Sequence, residues 1–171
     1  MKSLFWRFLA KLLARPSVAD WIIKRAQRTP YDHLAIADGS RIIRLPHDTA
    51  LWPGDSWYMR RWWFLRFGRL QIRVHHILLA DIGRDMHDHP WQFRTFILRG
   101  GYLEAREQAG GVRRRMRLPG TTAAMHRGEF HRIAKVAPDG AWTLFVTWGQ
   151  RQGWGFKSPA GAVIPHEEYG A

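Results

Sequence analysis

From about Tyr31 onward the chain is a succession of short β-branched and aromatic stretches cut by Gly, Pro and Asp, and this rhythm constrains its fold most. "RIIRL" (41–45) and "LQIRVHHILLA" (70–80) read as strands, and "FRTFILRGGYLEAR" is strand-rich with a Gly-Gly break. "GTTAAMHRGEFHRIAKV", "AWTLFVTW" and "GWGFK" follow at intervals typical of an all-β sandwich or barrel. The basic run "RRRMR" (113–117) between them reads as a solvated hairpin loop. There is no internal repeat and no low-complexity tract.

Before Tyr31 the period changes. Residues 3–14 space their apolar side chains as an amphipathic helix, with Leu4, Phe5, Phe8, Leu9, Leu12 and Leu13 on one face and Arg7, Lys11 and Arg15 in a basic row. A second helix is expected from Ser17 as N-cap, with Val18, Trp21 and Ile22 on one face. Residues 1–30 are therefore expected to form a basic helical appendage and residues 31–171 the β domain. The helical face has three candidate surfaces: its own domain, a second copy in a homodimer, or an anionic membrane. Arg7 and Lys11 interrupt the apolar run and Pro16 ends it, so it is too short to cross a bilayer, and a cytoplasmic location is the expectation.

With 171 residues the chain is long enough to bury a core unaided, and with no cysteine it excludes disulfides, thiolate zinc sites and cysteine nucleophiles. Any metal must take imidazole and oxygen ligands. Lys+Arg number 27 against 14 Asp+Glu, a formal charge of +13 carried mostly by arginine, which favours anionic partners such as phosphate, nucleic acid or a membrane surface. Some of the ten tryptophans stand beside arginines, as in "RRWWFLRF" (60–67), a combination that either stacks on bases or fills a β core.

In "DMHDHPWQFRTFILRGGY" (85–102), His87 and His89 are two apart, so on an extended strand both imidazoles face one point while Asp88 faces away. Pro90 removes a ladder donor just after the pair, loosening the strand edge where a pocket would open. A third histidine, His131, lies in "PGTTAAMHRGEFHRI".

These residues resemble the cupin superfamily, the double-stranded β-helix or jelly-roll proteins. Its second motif, G, five residues, P, one residue, G, two residues, H, three residues, N, is met by Gly120, Gly128 and His131, with His126 at the proline and Lys135 at the asparagine. Its first motif, G, five residues, HxH, three or four residues, E, six residues, G, is met by His87, His89 and Gly101. Asp81 stands at the leading glycine, and Arg94 or Phe93 at the glutamate. The resemblance covers about residues 70–157, and flanking pieces such as "ARPSVADWIIKRAQRTPY" also resemble small cupins of bacterial and phage genomes.

The resemblance implies a mainly β fold with two short N-terminal α-helices and a divalent metal on His87, His89 and His131, without the usual carboxylate. Such a neutral set suits Fe(II), Zn, Ni, Mn or Cu. Fe(II) is favoured, because the glutamate-free arrangement resembles the thiol dioxygenases. Arg94 either points inward, where it would clamp the carboxylate or phosphate of a small or tethered anionic substrate, or outward, if a bulge near Pro90 shifts the strand parity. His126 and Glu129 are candidate orienters of His131 or, equally, solvent-exposed turn residues. His76, on the Ile72, Val74 and Leu78 face, and Trp91 and Tyr102 are candidate pocket walls that core packing explains as well. The competing reading is a non-catalytic module that contacts nucleic acid, membrane or protein through its basic, Trp-rich surface.

Overall fold

The computed structural model describes residues 2–81, 83, 85–149 and 151–169. Among these, two helices, α1 (Lys2–Leu13) and α2 (Pro16–Ala26), precede the strands. The strands are β1 (Pro30–Ala37), β2 (Arg41–Leu45), β3 (Ser56–Phe67), β4 (Leu70–Ile77), β5 (Met86–His87), β6 (Gln92–Gln108), β7 (Gly111–Arg117), β8 (Thr122–Met125), β9 (His131–Trp148), β10 (Gly155–Lys157) and β11 (Val163–Pro165). They form one antiparallel sheet in the order β11-β10-β5-β9-β4-β3-β1-β2, with β6 paired to β7, β8 and β9. The sheet curls into an antiparallel half-barrel, mainly β with two helices, consistent with the double-stranded β-helix that the sequence motifs imply.

Both faces of the central strands are buried. On one face Trp62, Val74, Phe96, Leu98 and Leu144 pack against Ala10 of α1 and Ala19, Ile22, Ile23 and Ala26 of α2. The helices thus share a core with the sheet, and the ion pair of Asp20 on α2 with Arg99 on β6 joins them at its edge. Fully burying one large apolar side chain stabilises by about 1.5–3 kcal/mol, so this layer is a substantial part of the fold. On the opposite face no helix is present among the described residues, and the curl itself closes over Ile77, Ile97, Tyr102, Ile133 and Ala141, and over Phe93, Met125 and Phe145.

Several local expectations are corrected. The N-cap of α2 is Arg15, with Pro16 inside the first turn, because a proline fixes helical φ and its missing N–H costs nothing there; Ser17 lies within the helix. In α1 the buried residue is Ala10, with Trp6, Leu9 and Leu13 packed beside it, while Leu4, Phe5, Phe8 and Leu12 face outward. The "RRRMR" run is strand β7, paired with β6 from Tyr102↔Arg117 to Gln108↔Gly111.

The Gly-Gly break is a corner inside one long strand. β6 and β9 stay paired through it, with register shifts around Arg99 to Tyr102. Gly100 (φ 63°) and Gly140 (φ 78°) face each other there, and a Cβ on Gly100 would stand 1.9 Å from the Gly140 carbonyl oxygen. Only glycine permits this approach.

Candidate metal centre

β5 brings the first histidine to its partner directly: His87 lies opposite His131 in the β5–β9 ladder and opposite Phe156 of β10. Asp88 points away and is tied down, its Oδ1 accepting the Gly155 N–H at 2.8 Å and its own N–H donating to the Gly155 carbonyl at 3.1 Å. That anchor returns His89 to the side of His87. The three imidazole rings stand 5.0 Å apart pairwise, and one nitrogen from each lies within 4.8 Å of the others.

The nitrogens His89 Nε2 and His131 Nε2 face each other at 2.8 Å. Two imidazole nitrogens on one tetrahedral ion, with bonds of about 2.0–2.1 Å, stand about 3.3 Å apart, so a small ring shift separates this arrangement from a ligand pair. Burial pushes the His87 imidazole down to about 4, against a smaller opposing pull from Asp81, with His131 adding to the drop. Burial and the neighbouring His87 and His131 likewise hold His89 well below its ordinary value. Both rings are neutral at pH 7 and offer lone pairs, so the donor set fits a divalent ion.

His131 is oriented by a residue the motif comparison did not single out. Its Nδ1 donates to Glu104 Oε1 at 2.8 Å, which leaves Nε2 as the lone-pair nitrogen facing His89. Glu104 is buried on β6, and it also accepts from Arg106 Nη2 at 3.1 Å and from Arg117 Nε at 2.8 Å. Burial alone would raise the Glu104 carboxyl, but the hydrogen bond from His131 and the neighbouring Arg117 and Arg106 outweigh it and hold it well below the usual carboxylate range. Both oxygens are engaged, so Glu104 orients a histidine and leaves the three imidazoles as the donor set. On the far side Asp81, at the position of the missing motif glycine, accepts the Ile133 N–H at 2.6 Å and a hydrogen bond from Tyr58. Its Oδ2 stands 3.7 Å from His87 Nδ1.

Phe93 and Phe145 wall the group, Phe93 at 4.8 Å from the His89 ring and 4.6 Å from Phe145. A fourth imidazole, His75, stacks on Phe145 at 4.8 Å, and its buried Nε2 has no hydrogen-bond partner.

The other candidates are not all gathered here. Arg94 lies on the face opposite Phe93: its guanidinium sits 4.4 Å from the Trp6 ring of α1, and Nη1 donates to Thr122 Oγ1 at 3.4 Å. Strand parity therefore answers the orientation question with outward, and Arg94 does not reach a substrate at the histidines. His76 is also on the helix-covered face, stacked on Trp142 at 4.1 Å with Nε2 3.1 Å from the Asp139 carbonyl. It is His75 that shares the histidine side. The apolar neighbours of His76 misled because both faces are buried, and the Val74 face belongs to the helices.

His126 is exposed, and Glu129 accepts its backbone N–H at 2.6 Å, so the two close a turn while Glu104 holds His131. Tyr102 is buried in the apolar layer with Ile97 and Ile133. Trp91 lies under the Arg73 guanidinium at 4.9 Å, beside a separate cavity. The tryptophans of "RRWWFLRF" are engaged internally: Trp62 stacks on Trp142 at 5.4 Å, and the Trp63 ring carries Arg66 and Arg73 at 4.7 and 4.6 Å.

No helix among the described residues is long and apolar enough to cross a membrane. No family model matches the chain, and no curated protein matches it. Similar solved structures include a cupin-2 domain from Rhodospirillum rubrum (11% identity, 61% of this chain and 68% of that one, TM-score 0.48). A cupin superfamily protein from Desulfitobacterium hafniense matches at 12% identity over 53% of this chain and 76% of that one (TM-score 0.42). A DMSP lyase structure matches at 16% identity and TM-score 0.44 over 53% of this chain, which spans 47% of the lyase. The HxH segment and His131 are brought together across β5 and β9 of a curled antiparallel sheet, as the cupin motifs of the sequence imply.

Proposed function

We propose that the chain is a metal-dependent cupin in which His87, His89 and His131 hold a divalent ion, Fe(II) by preference, and that it oxidises a small anionic substrate with O2. The observation that carries this reading is the convergence of three ligand nitrogens within 4.8 Å, from half-buried His87 and His89 and buried His131. An ion held by three neutral imidazoles keeps open positions and its full Lewis acidity. The protein's part is to keep His87 and His89 unprotonated, to fix the His131 tautomer through Glu104, and to exclude bulk water with Phe93 and Phe145.

The test is oxygen uptake by Fe(II)-loaded protein across a panel of small thiols, carboxylates and phosphate esters. Turnover with at least one, lost in His131→Ala and absent with Zn(II), supports oxidation. A loaded, folded protein that gives substrate conversion with Zn(II) and no oxygen uptake would replace it with Lewis-acid chemistry.

A second reading rests on a different observation. Leu4 (66% exposed), Phe5, Phe8 (68%) and Leu12 project outward from α1, in a segment that also carries Arg7, Lys11 and Arg15. An apolar ridge set among cations complements an anionic membrane surface. It predicts salt-sensitive cosedimentation with phosphatidylserine vesicles that survives His131→Ala and is lost in Phe5→Ser/Phe8→Ser. Equal binding of that double variant would reject this face.

A further inference from the structure

A second polar site lies beyond the phenylalanine wall, and the metal reading does not use it. Arg73 on β4 is only 6% exposed, yet among the described residues no carboxylate pairs with it. Its guanidinium stands among the rings of Trp63 (4.6 Å), Trp91 (4.9 Å) and Tyr31 (5.8 Å), and Nη2 donates to Gln71 Oε1 at 2.5 Å. Its buried Nε has no partner. Aromatic faces offset part of the cost of burying a cation, but they occupy the faces of the guanidinium and leave its in-plane Nε–H unsatisfied. A buried cation without an anion costs several kcal/mol. An oxyanion nearby would offset that cost.

Space for one adjoins it. A cavity of about 590 Å³ is lined by Arg69, Gln71, Trp91, Thr147 and Arg151 between two glycines, and none of its lining residues is acidic. Gln71 and Trp91 are the hydrogen-bond and stacking partners of Arg73, so the buried guanidinium stands directly behind this wall while Arg69 and Arg151 line the cavity itself. Such a concentration of positive charge suits a dianion better than a carboxylate, and guanidinium groups match phosphate oxygens bidentately.

We propose that this cavity binds a phosphate monoester of a small molecule, with Arg69 and Arg151 on the phosphate, Trp91 as its wall and the buried charge of Arg73 behind that wall. The site is built without the histidines: none of its lining residues is a histidine, and Phe93, paired with Thr147 in the ladder, contacts the His89 ring. Anion binding and metal binding are therefore separable.

The experiment is calorimetric titration of the metal-free full chain with inorganic phosphate, phenyl phosphate and dimethyl phosphate. Saturable one-to-one binding of phenyl phosphate is expected, with dimethyl phosphate, which models a nucleic-acid or lipid diester, at least about tenfold weaker. Arg69→Gln/Arg151→Gln should weaken phenyl phosphate about tenfold or more. The control pair Arg113→Gln/Arg114→Gln on exposed β7 should not, and His131→Ala should bind as the unmodified chain does. Absence of saturable binding at about 10 mM, equal binding of the diester, or equal loss in both arginine pairs would overturn the proposal. None of these outcomes bears on the metal, which is measured separately.

Discussion

Glu104 concentrates the electrostatics of the site in one side chain. It fixes the tautomer of His131 and pairs with both Arg117 and Arg106, so its charge serves both the centre and the fold. Glu104→Gln keeps the shape but leaves two guanidinium groups facing a neutral amide. Breaking a buried ion pair costs about 3–5 kcal/mol, and losing the partner of a ligating histidine weakens metal affinity about 10–100-fold. Urea denaturation and a competitive metal titration should show both losses, with Glu129→Gln leaving both nearly unchanged, since Glu129 only closes a turn. A Glu104→Gln protein with unaltered stability and affinity would remove Glu104 from the account. The sequence disclosed His87, His89 and His131 because their spacing matches a motif; it did not disclose Glu104, ten residues beyond the position where the motif asks for a carboxylate. Two departures from the motif were nonetheless informative. Arg94 replaces the glutamate because that side chain faces α1, and Asp81 replaces the glycine because it accepts hydrogen bonds from Tyr58 and Ile133 beside His87.

Among the elements, β6 and β9 position the centre, and their shared corner is what lets each continue from the apolar layer to the histidines. Gly100→Ala would set a Cβ against the Gly140 carbonyl in a backbone region alanine rarely adopts. A loss of about 2 kcal/mol or more is expected in thermal or urea unfolding, whereas Gly110→Ala in the exposed β6–β7 turn meets no neighbour and carries only the φ penalty. Equal losses would show that the close approach is not what demands glycine at the corner. Strand existence was legible from alternation and turn residues, and "RIIRL" matches β2 residue for residue. Strand length was not. A glycine pair reads as an interruption in one dimension, and only the facing glycine forty residues later makes it a bend in a continuous ladder. The arginines of β7 read as a loop for a similar reason: cross-strand pairing with β6 places them in a strand whose side chains are almost all solvated.

At the scale of the molecule, the helices, the sheet and the histidine group form three successive layers. The helices cover one face of the sheet, and the curl of the sheet encloses the other, where His75, His89, His131, Phe93 and Phe145 meet. This explains why an apolar pattern on β4 could not say which of His75 and His76 faces the centre: a strand buried on both sides has no polar face to serve as reference. It also explains why imidazoles are tolerated there, since burial holds His75, His87 and His89 below their ordinary values. The central claim is that His87, His89 and His131 together hold a divalent ion. Its most direct test is the metal content of the full chain, purified without a histidine tag and reconstituted anaerobically with Fe(II), beside His131→Ala whose fold is verified by circular dichroism. The account predicts one ion per chain in the unmodified protein and loss of that ion in the folded variant. A folded protein that takes up no divalent ion, or a variant that retains it, would contradict the account.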